Sequence, residues 1–253
     1  MPFKIFNILN KRNNKPFSYF KYAIGEIVLV AIGILIALNV NNLNQSRLEV
    51  VAMKSYLKKI KSNIENIGLE DVGIVTDRDK ILVNDYYQTN IPGYYAIGDV
   101  TPGQALAHVA SAEGILCVEK IAGQHVEALD YGNIPGCTYC SPEIASVGLT
   151  EKQAKDQGID IKVGKFPFSA SGKASASGAK DGFVKVIFDA KYGEWLGCHM
   201  IGAGVTDMIA EAVLGRKLET TGHEVLKAVH PHPTMSEAVM EAVAAAYGEV
   251  IHL

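Results

Sequence analysis

The clearest strands are predicted in Phe183-Val-Lys-Val-Ile-Phe188 and Glu194-Trp-Leu-Gly-Cys-His-Met-Ile201. Both runs are rich in β-branched and aromatic residues, the composition that fits a pleated, half-buried surface. Strand and turn signals alternate over the whole segment Ile134–Ile201. Apolar residues at helical spacing then predict helices at Val205–Leu214 and Ala238–Tyr247. The pattern predicts an α/β fold, with an α+β arrangement in this part of the chain.

The same α/β pattern of short apolar strands, turns and helices begins earlier in the chain, at about Ile67. Gly73–Asn84 has β-branched runs on either side of a polar turn, which indicates a hairpin. A short apolar strand is predicted at Tyr94–Ile97, directly before Gly98-Asp99. An Ala-rich helix is predicted at Ala105–Ala122 and closed by a glycine. We therefore expect a first structural unit that ends near Gln124.

Two stretches of small residues need separate interpretation. Ser169–Gly178 is rich in Ser, Ala and Gly, lies between strands, and is predicted to be a surface loop. Gly202-Ala-Gly204 follows a strand and opens a helix, as a dinucleotide-binding GxGxxG motif does, but Asp207 takes the place of the third glycine. A carboxylate there would face the pyrophosphate. We predict a structural turn with a capping aspartate and no nucleotide site.

Composition excludes several classes of protein. The chain has 48% hydrophobic and 20% charged residues, the balance of a folded globular protein. Its formal net charge of -3 gives no reason to expect a nucleic-acid partner. Four cysteines are too few and too unevenly spaced for a disulfide framework, so a reducing compartment fits best. Cys137-Thr-Tyr-Cys140 is a CxxC, but the second pair of a zinc ribbon and the helix of a thioredoxin motif are not visible.

The segment 23–40 reads AIGEIVLVAIGILIALNV and carries one charge, Glu26. Eighteen residues of helix span roughly 27 Å, close to the thickness of a bilayer core. We predict a transmembrane helix here, with a buried core helix or a cleaved signal peptide as alternatives. Residues 1–22 form a basic tail, and residues 41–62 read as a polar helical linker. Residues 1–62 resemble the N-terminal anchor of an uncharacterised bacterial single-pass membrane family.

Gly98-Asp99 is followed by Thr101-Pro-Gly-Gln-Ala-Leu-Ala-His108. A carboxylate after a strand can bind ribityl or ribose hydroxyls, although an aspartate there more often caps a helix. The whole stretch is similar to the second flavin-binding motif of the pyridine-nucleotide disulfide oxidoreductases. This resemblance implies that Asp99 holds the ribityl chain of FAD and that backbone N–H groups approach the isoalloxazine ring. Those N–H groups belong to four consecutive residues, Ala105, Leu106, Ala107 and His108.

The segment His230-Pro-His-Pro-Thr-Met-Ser-Glu237 is the most specific motif of the chain. A histidine paired with a carboxylate makes a base whose tautomer is set by its partner. The alternatives are a helix cap built from Thr234 and Glu237, which can coexist with catalysis, and a metal pair that lacks a further ligand. The motif resembles the catalytic pair of the same family and favours its dihydrolipoamide dehydrogenase branch over glutathione reductase. The resemblance makes His232 the acid/base and Glu237 its orienting partner.

Tyr139–Gly148 and Gly197–Gly202 resemble the interface domain of that family, an antiparallel sheet with flanking helices that forms a homodimer. The resemblance implies the end of an FAD-binding domain at residues 63–125 and a dimerisation domain at residues 126–253. It also implies FAD and NAD as cofactors and the dihydrolipoyl group of a carrier protein as substrate.

The family needs a GxGxxG fold for the FAD adenosine, a CxxxxC redox pair and a second dinucleotide domain for NAD. These parts do not occur in the sequence, and no thiol role can be assigned to its four cysteines. We therefore expect a truncated form that is inactive alone. The alternative is a non-catalytic, membrane-anchored fragment or chimeric product that dimerises through residues 126–253, either with itself or with the complete enzyme. The family is cytoplasmic, and anchoring depends on whether the segment 23–40 is retained.

Overall fold

A computed structural model describes residues 67–252 of the chain. These residues form two compact units, one made of 67–83, 89–96 and 100–102, the other of 84–88, 97–99 and 103–252. The predicted tail, transmembrane helix and linker at 1–22, 23–40 and 41–62 lie outside the described residues. Within the described residues, no helix is long and apolar enough to cross a bilayer.

The smaller unit contains the hairpin that the sequence predicts. Strands β1 (Thr76–Asp77) and β2 (Lys80–Ile81) pair antiparallel across a two-residue turn. Arg78 in that turn has a φ of 57°, as tight hairpin turns require. The side chain of Asn90 fastens the hairpin to the rest of the unit, accepting from Val75 N at 2.9 Å and donating to the Gly73 carbonyl at 2.8 Å.

The larger unit is built from one long helix followed by a sheet with five further helices. Its elements are, in chain order, α1 (Ala107–Ile121), β3 (Gly136–Thr138), β4 (Glu143–Gly148), α2 (Glu151–Asp156), β5 (Ile161–Pro167), α3 (Gly172–Ser177), β6 (Phe183–Asp189), β7 (Trp195–Gly202), α4 (Val205–Lys217), α5 (Gly222–Lys227) and α6 (Glu237–Tyr247). Short 3₁₀ helices occur at Gly98–Val100, Tyr131–Asn133 and Phe168–Ala170. The strands and helices predicted around β6, β7, α4 and α6 are confirmed.

The five strands β3 to β7 form one antiparallel sheet in the order β3-β4-β7-β6-β5. Helix α6 packs on β5 and β6, and helix α4 packs on β4 and β7. Alternate residues of the strands meet these helices because strand side chains alternate between the two faces. The largest side chains of this core are fully buried and aromatic: Trp195, Phe166, Phe168 and Phe188. Burial of this apolar layer provides the main stabilisation of the unit.

Two strand glycines allow the sheet to lie unusually close to its neighbours. A Cβ at Gly164 would lie 1.8 Å from the Ala242 carbonyl oxygen of α6. A Cβ at Gly197 would lie 2.1 Å from the Leu149 carbonyl oxygen, on the segment that follows β4. Both positions therefore exclude any side chain, and the first of them sets the distance between the sheet and the helix that begins at Glu237.

The prediction of a strand at Tyr94–Ile97 was wrong. This segment has one isolated bridge residue, Tyr95, but no strand, and it leads into the 3₁₀ helix that contains Asp99. A strand forms only when a neighbouring strand satisfies its backbone groups. Within residues 67–252, the apolar run at 94–97 has no such partner strand, so its β propensity is not realised.

The prediction of a surface loop at Ser169–Gly178 was also wrong. The segment continues from a 3₁₀ turn into helix α3, which buries Ala174 in the core. The Ser171 hydroxyl accepts from the Ala174 N–H at 3.3 Å, and Gly178 ends the helix with a φ of 73°. Serine at the N-cap and glycine just after the last turn are helix boundary signals, and here they outweigh the low-complexity appearance.

The turn predicted at Gly202–Gly204 is present, but its capping residue is different from the one predicted. Gly202 contacts the Phe168 ring so closely that a Cβ would lie 2.4 Å from it. The first turn of α4 is capped by Glu143 from β4, whose Oε2 accepts from Thr206 N at 3.1 Å and from Thr206 Oγ1 at 2.8 Å. Asp207 lies in the same turn. The cap comes from 63 residues earlier in the chain, which no local pattern could indicate.

Candidate active-site residues

His232 and Glu237 are joined by a hydrogen bond. His232 Nδ1 lies 2.7 Å from Glu237 Oε1, and the carboxylate is at the first position of helix α6. Because an ionised carboxylate only accepts, Nδ1 carries the proton and Nε2 carries the lone pair. The His232 side chain is 78% exposed, whereas that of Glu237 is 26% exposed. The arrangement is a base with an accessible Nε2 whose tautomer is set by a half-buried carboxylate.

The loop that carries His232 is closed by its own hydrogen bonds. Thr234 Oγ1 donates to the Pro231 carbonyl at 2.7 Å, and Thr234 N donates to Glu237 Oε2 at 2.8 Å. Half of the predicted capping box is therefore present, because Glu237 reaches back to Thr234. The other half is missing, because the Thr234 hydroxyl bonds within the loop. The Glu237 carboxylate provides the cap and also pairs with His232.

The environment of Glu237 favours its ionised form. Partial burial raises the pKa of this carboxyl group, but the hydrogen bonds from Thr234 N–H and His232 outweigh that effect and lower the pKa overall. Glu237 consequently stays ionised through the neutral range. A permanently charged carboxylate is the partner that an imidazole needs to keep its proton on Nδ1.

A second histidine–glutamate pair lies beside the first, and sequence reasoning missed it. His230 Nε2 lies 2.7 Å from Glu211 Oε1 on helix α4, and His230 Nδ1 lies 3.1 Å from the Ala228 carbonyl oxygen. The His230 side chain is only 7% exposed. The hydrogen bond to Glu211 raises the pKa of this imidazole, although its burial acts in the opposite direction. Glu211 is 19 residues away in sequence, so no motif connects it to His230.

The residues predicted to contact flavin lie at the start of helix α1. Asp99 is exposed in its 3₁₀ helix. Leu106 is the N-cap of α1, and its apolar side chain gives no capping hydrogen bond. His108 Nε2 donates to the Pro135 carbonyl at 3.0 Å. An uncapped helix N-terminus is suited to an anionic group.

A buried polar cluster fixes the backbone next to Asp99. Glu113 on α1 is 2% exposed; its Oε2 accepts from Gly98 N at 2.6 Å and its Oε1 accepts from the Tyr131 hydroxyl at 2.6 Å. The hydroxyls of Tyr131 and Tyr87 are 3.3 Å apart. Burial and the Glu113 bond raise the pKa of Tyr131, which stays a neutral donor. Nothing in the sequence indicated this cluster, because an isolated glutamate in a helix usually faces water.

An apolar groove of about 670 Å³ runs along α1 and α4 within the larger unit. Its walls are mainly aliphatic, with Leu116, Leu129, Ile134 and Val213 among them. Of the predicted site residues, His108 alone lines it. The groove therefore lies next to the start of α1. Residues of the His232 loop are not part of its walls.

The four cysteines give no indication of a redox pair. All four are free: Cys117 and Cys198 are buried, Cys137 is half-buried in β3 and Cys140 is exposed. Burial raises the pKa of the first three thiols, which makes them poor nucleophiles. Residues 67–252 also hold no group of three His, Cys, Asp or Glu side chains that could bind a metal ion.

Comparison with family models connects this geometry to known proteins. Residues 134–243 match the model described as pyridine nucleotide-disulphide oxidoreductase, dimerisation domain, and residues 60–114 match the model described as pyridine nucleotide-disulphide oxidoreductase. Residues 134–243 are therefore similar to the dimerisation domain of this family. The matched segment begins at β3 and ends inside α6, so it includes the antiparallel sheet and the His232–Glu237 pair.

Curated relatives agree with this assignment. A dihydrolipoyl dehydrogenase from Rhizobium etli is 54% identical over 194 residues, which are 76% of this chain and 40% of that protein. Enzymes of the same name from Zymomonas mobilis and Bacillus subtilis are 52% and 54% identical over 76% of this chain. The chain spans about 40% of the length of these relatives. The similarity therefore concerns part of each relative.

Solved structures show the same fold. The structure of LpdA from Mycobacterium tuberculosis matches 72% of this chain and 40% of its own, with a TM-score of 0.68 and 24% identity. The HOCl-induced flavoprotein disulfide reductase RclA from Escherichia coli matches 70% of this chain and 41% of its own, with a TM-score of 0.65 and 24% identity. Five antiparallel strands flanked by helices are thus the fold of a flavoprotein disulfide reductase dimerisation domain.

Proposed function

We propose that this chain provides the acid/base half of a dihydrolipoyl dehydrogenase, with His232 as the acid/base and Glu237 as the group that orients it. The 2.7 Å bond between His232 Nδ1 and Glu237 Oε1 carries the proposal, because it leaves Nε2 as an accessible proton acceptor. The 52% and 54% identity to dihydrolipoyl dehydrogenases supports this substrate class.

The proposed step is thiol–disulfide exchange. His232 Nε2 takes the proton of one thiol of a dihydrolipoyl group on a carrier protein, and the thiolate attacks a redox disulfide of the enzyme. This attack releases one enzyme thiolate, which takes the proton of the second substrate thiol. The second substrate thiolate then attacks the substrate sulfur of the mixed disulfide and releases the second enzyme thiolate, which takes the proton held by His232. The substrate leaves as a cyclic disulfide, and the enzyme disulfide becomes a dithiol. Glu237 stabilises the imidazolium that forms in between.

The residues around Asp99 fit a flavin. Glu113 holds the Gly98 N–H, so the turn that bears Asp99 is fixed against α1. Asp99 would accept hydrogen bonds from ribityl hydroxyls, and the start of α1 at residues 105–108 would face the isoalloxazine ring. FAD supplies the relay of two electrons from the dithiol to NAD. The NAD site and the FAD adenosine site are proposed to be supplied by residues other than those of this sequence, which lacks the motifs that they need.

The redox disulfide is proposed to lie on another subunit, because the four cysteines of this sequence are separate free thiols. A base that serves a disulfide on another subunit accounts for this. We infer that residues 126–253 form a homodimer or a mixed dimer, and that in the mixed dimer His232 faces the disulfide of the full-length subunit. The 78% exposure of His232 is consistent with a side chain that functions in an interface.

A mixed-dimer assay tests the function directly. A full-length dihydrolipoyl dehydrogenase, inactivated by replacing its own acid/base histidine with Gln, is co-expressed with this tagged chain and the heterodimer is purified. We expect dihydrolipoamide-dependent NAD reduction with the wild-type chain and a loss of at least two orders of magnitude with His232→Gln, as expected for removal of a general acid/base. His125→Gln, on an exposed residue elsewhere, is the matched control. Equal activity with His232→Gln would reject the proposed role.

The second candidate is a non-catalytic dimerisation fragment, anchored to the membrane through residues 23–40. The separate free thiols favour it, because the described residues contain no redox pair of their own. Stable heterodimers that remain inactive with the wild-type chain, recovered with the membrane fraction, would support this candidate. A heterodimer that regains activity would favour the first.

A further inference from the structure

His230 is bonded at both ring nitrogens. Nδ1 faces the Ala228 carbonyl at the end of α5, and Nε2 faces the Glu211 carboxylate on α4. A carbonyl oxygen and an ionised carboxylate can only accept, so both nitrogens must donate. A ring that donates from both nitrogens is an imidazolium; its side chain is only 7% exposed, and the carboxylates of Glu211 and Glu237 both act on it. Its raised pKa agrees with this assignment.

The His230 ring lies in the first half of the loop that carries His232, where the loop has few other attachments. Val229, on one side of His230, is 98% exposed and adds no packing, whereas Met235 at the far end of the loop packs against the core. Between them, the hydrogen bond from Thr234 to Pro231 closes the loop but does not attach it to another element. The bond from His230 to Glu211 is thus the polar attachment of the loop's first half to helix α4.

We propose that His230 and Glu211 are positioning residues, which hold the loop on helix α4 so that the His232 ring meets the Glu237 carboxylate. This inference rests on the proposed role of His232 as acid/base. An exposed imidazole rotates freely unless its backbone is held, and loss of the first attachment would let the loop turn His232 away from Glu237. The geometry of one histidine–glutamate pair then depends on the other.

We call the hydrogen bond between His230 and Glu211 the clamp. The charged groups around His230 determine the pH range in which the clamp holds the loop on α4. Glu211 on α4 and Glu237 on α6 both act electrostatically on His230, and the Ala228 carbonyl faces it from α5. When His230 loses its proton, one ring nitrogen becomes an acceptor, and either Glu211 or Ala228 faces a lone pair. The attachment weakens at that point. The clamp is closed below the titration of His230 and opens as the pH rises past it.

Nitrogen NMR of the full chain with ¹⁵N-labelled histidine rings tests the proposal, since it reports proton occupancy at each ring nitrogen. Below the titration midpoint of His230 we expect both of its ring nitrogens to be protonated and the His232 proton to reside on Nδ1. In Glu211→Gln, the titration midpoint of His230 shifts downward and the preference of His232 for Nδ1 is lost. Glu127→Gln, at an exposed surface glutamate, should change neither signal.

Two further measurements complete the test. His230→Gln should reduce the preference of His232 for a proton on Nδ1 as much as Glu211→Gln does. The double variant should reduce it no further than either single variant, because residues that act as a unit are not additive. In the unaltered chain, raising the pH past the His230 midpoint should reduce the Nδ1 preference, which needs no variant to fold. If His232 keeps its proton on Nδ1 while His230 titrates, the proposal is wrong. The readout needs no flavin or turnover, so it can fail or succeed independently of the mixed-dimer assay.

Discussion

The backbone N–H of Gly98 donates a 2.6 Å hydrogen bond to the buried carboxylate of Glu113, fifteen residues later on helix α1. The other carboxylate oxygen accepts from the Tyr131 hydroxyl. One side chain thus connects the turn of Asp99, the helix that follows it and the segment before the sheet. Glu113 thus holds the turn of Asp99, a proposed flavin contact, although Glu113 itself would not touch the flavin.

We expect Glu113→Gln to destabilise the chain by about 1–3 kcal/mol, because one carboxylate oxygen becomes an amide NH₂ that faces a donor. The measurement is equilibrium unfolding in urea, followed by circular dichroism. Glu119→Gln, on the same helix but only half-buried, is the control and should change stability by less than about 0.5 kcal/mol. Equal stability of the two variants would mean that the cluster contributes little.

Gly164→Ala should be strongly destabilising, by about 1–3 kcal/mol or more, because the added Cβ overlaps the Ala242 carbonyl oxygen and moves α6 away from the sheet. Gly136→Ala is the matched control, since this strand glycine has open space around a Cβ. Thermal unfolding of the two variants measures the difference. A Gly164→Ala protein that melts with the wild type would show that α6 can shift without loss.

Stability should fall as the pH rises through the titration of His230. The pKa of this group is raised in the folded state, so its contribution is complete below the unfolded pKa and is lost as the pH passes the folded pKa. Glu211→Gln removes the main cause of the raised pKa and should flatten this dependence. Urea midpoints between pH 5 and pH 9 measure it, on the assumption of a two-state transition. If stability depended on pH in the same way in the wild type and in Glu211→Gln, the pairing of His230 with Glu211 would be contradicted.

Cys140 should be the first thiol to react with an alkylating reagent. It is exposed, whereas burial raises the pKa of Cys117, Cys137 and Cys198 and reduces their thiolate fraction. Mass spectrometry after brief treatment with iodoacetamide should locate the label at Cys140, and Cys140→Ser should remove the fast phase. Rapid labelling of Cys137 would indicate that the CxxC is more reactive than its burial implies.

The chain purified alone should contain much less than one FAD per polypeptide and show no dihydrolipoamide-dependent NAD reduction. The proposed contacts at Asp99 and at the start of α1 cover only part of a flavin, and partial sites lose most of the binding energy. Flavin released by denaturation, measured against protein concentration, gives the stoichiometry. A stoichiometric flavoprotein with turnover would contradict the expectation of an incomplete enzyme.

Elements with strong local patterns could be predicted from sequence. The strands β6 and β7 and the helices α4 and α6 have apolar periodicity that matches their burial, so prediction and structure agree within a few residues. Tyr94–Ile97 has the composition of a strand but not the neighbour that a strand requires. Helix α3 has clear boundary residues in Ser171 and Gly178, yet its small residues suggested a loop.

The sequence by itself determined that Glu237 follows His232 by five residues at the start of a helix, which brings the carboxylate within reach of the ring. It also indicated the resemblance to the family, through motifs that are contiguous in the chain. Only the tertiary structure decided that Glu211 meets His230 and that Glu143 caps α4, across 19 and 63 residues. Local geometry follows from the backbone of a few residues, whereas these contacts exist only after sheet and helices have packed.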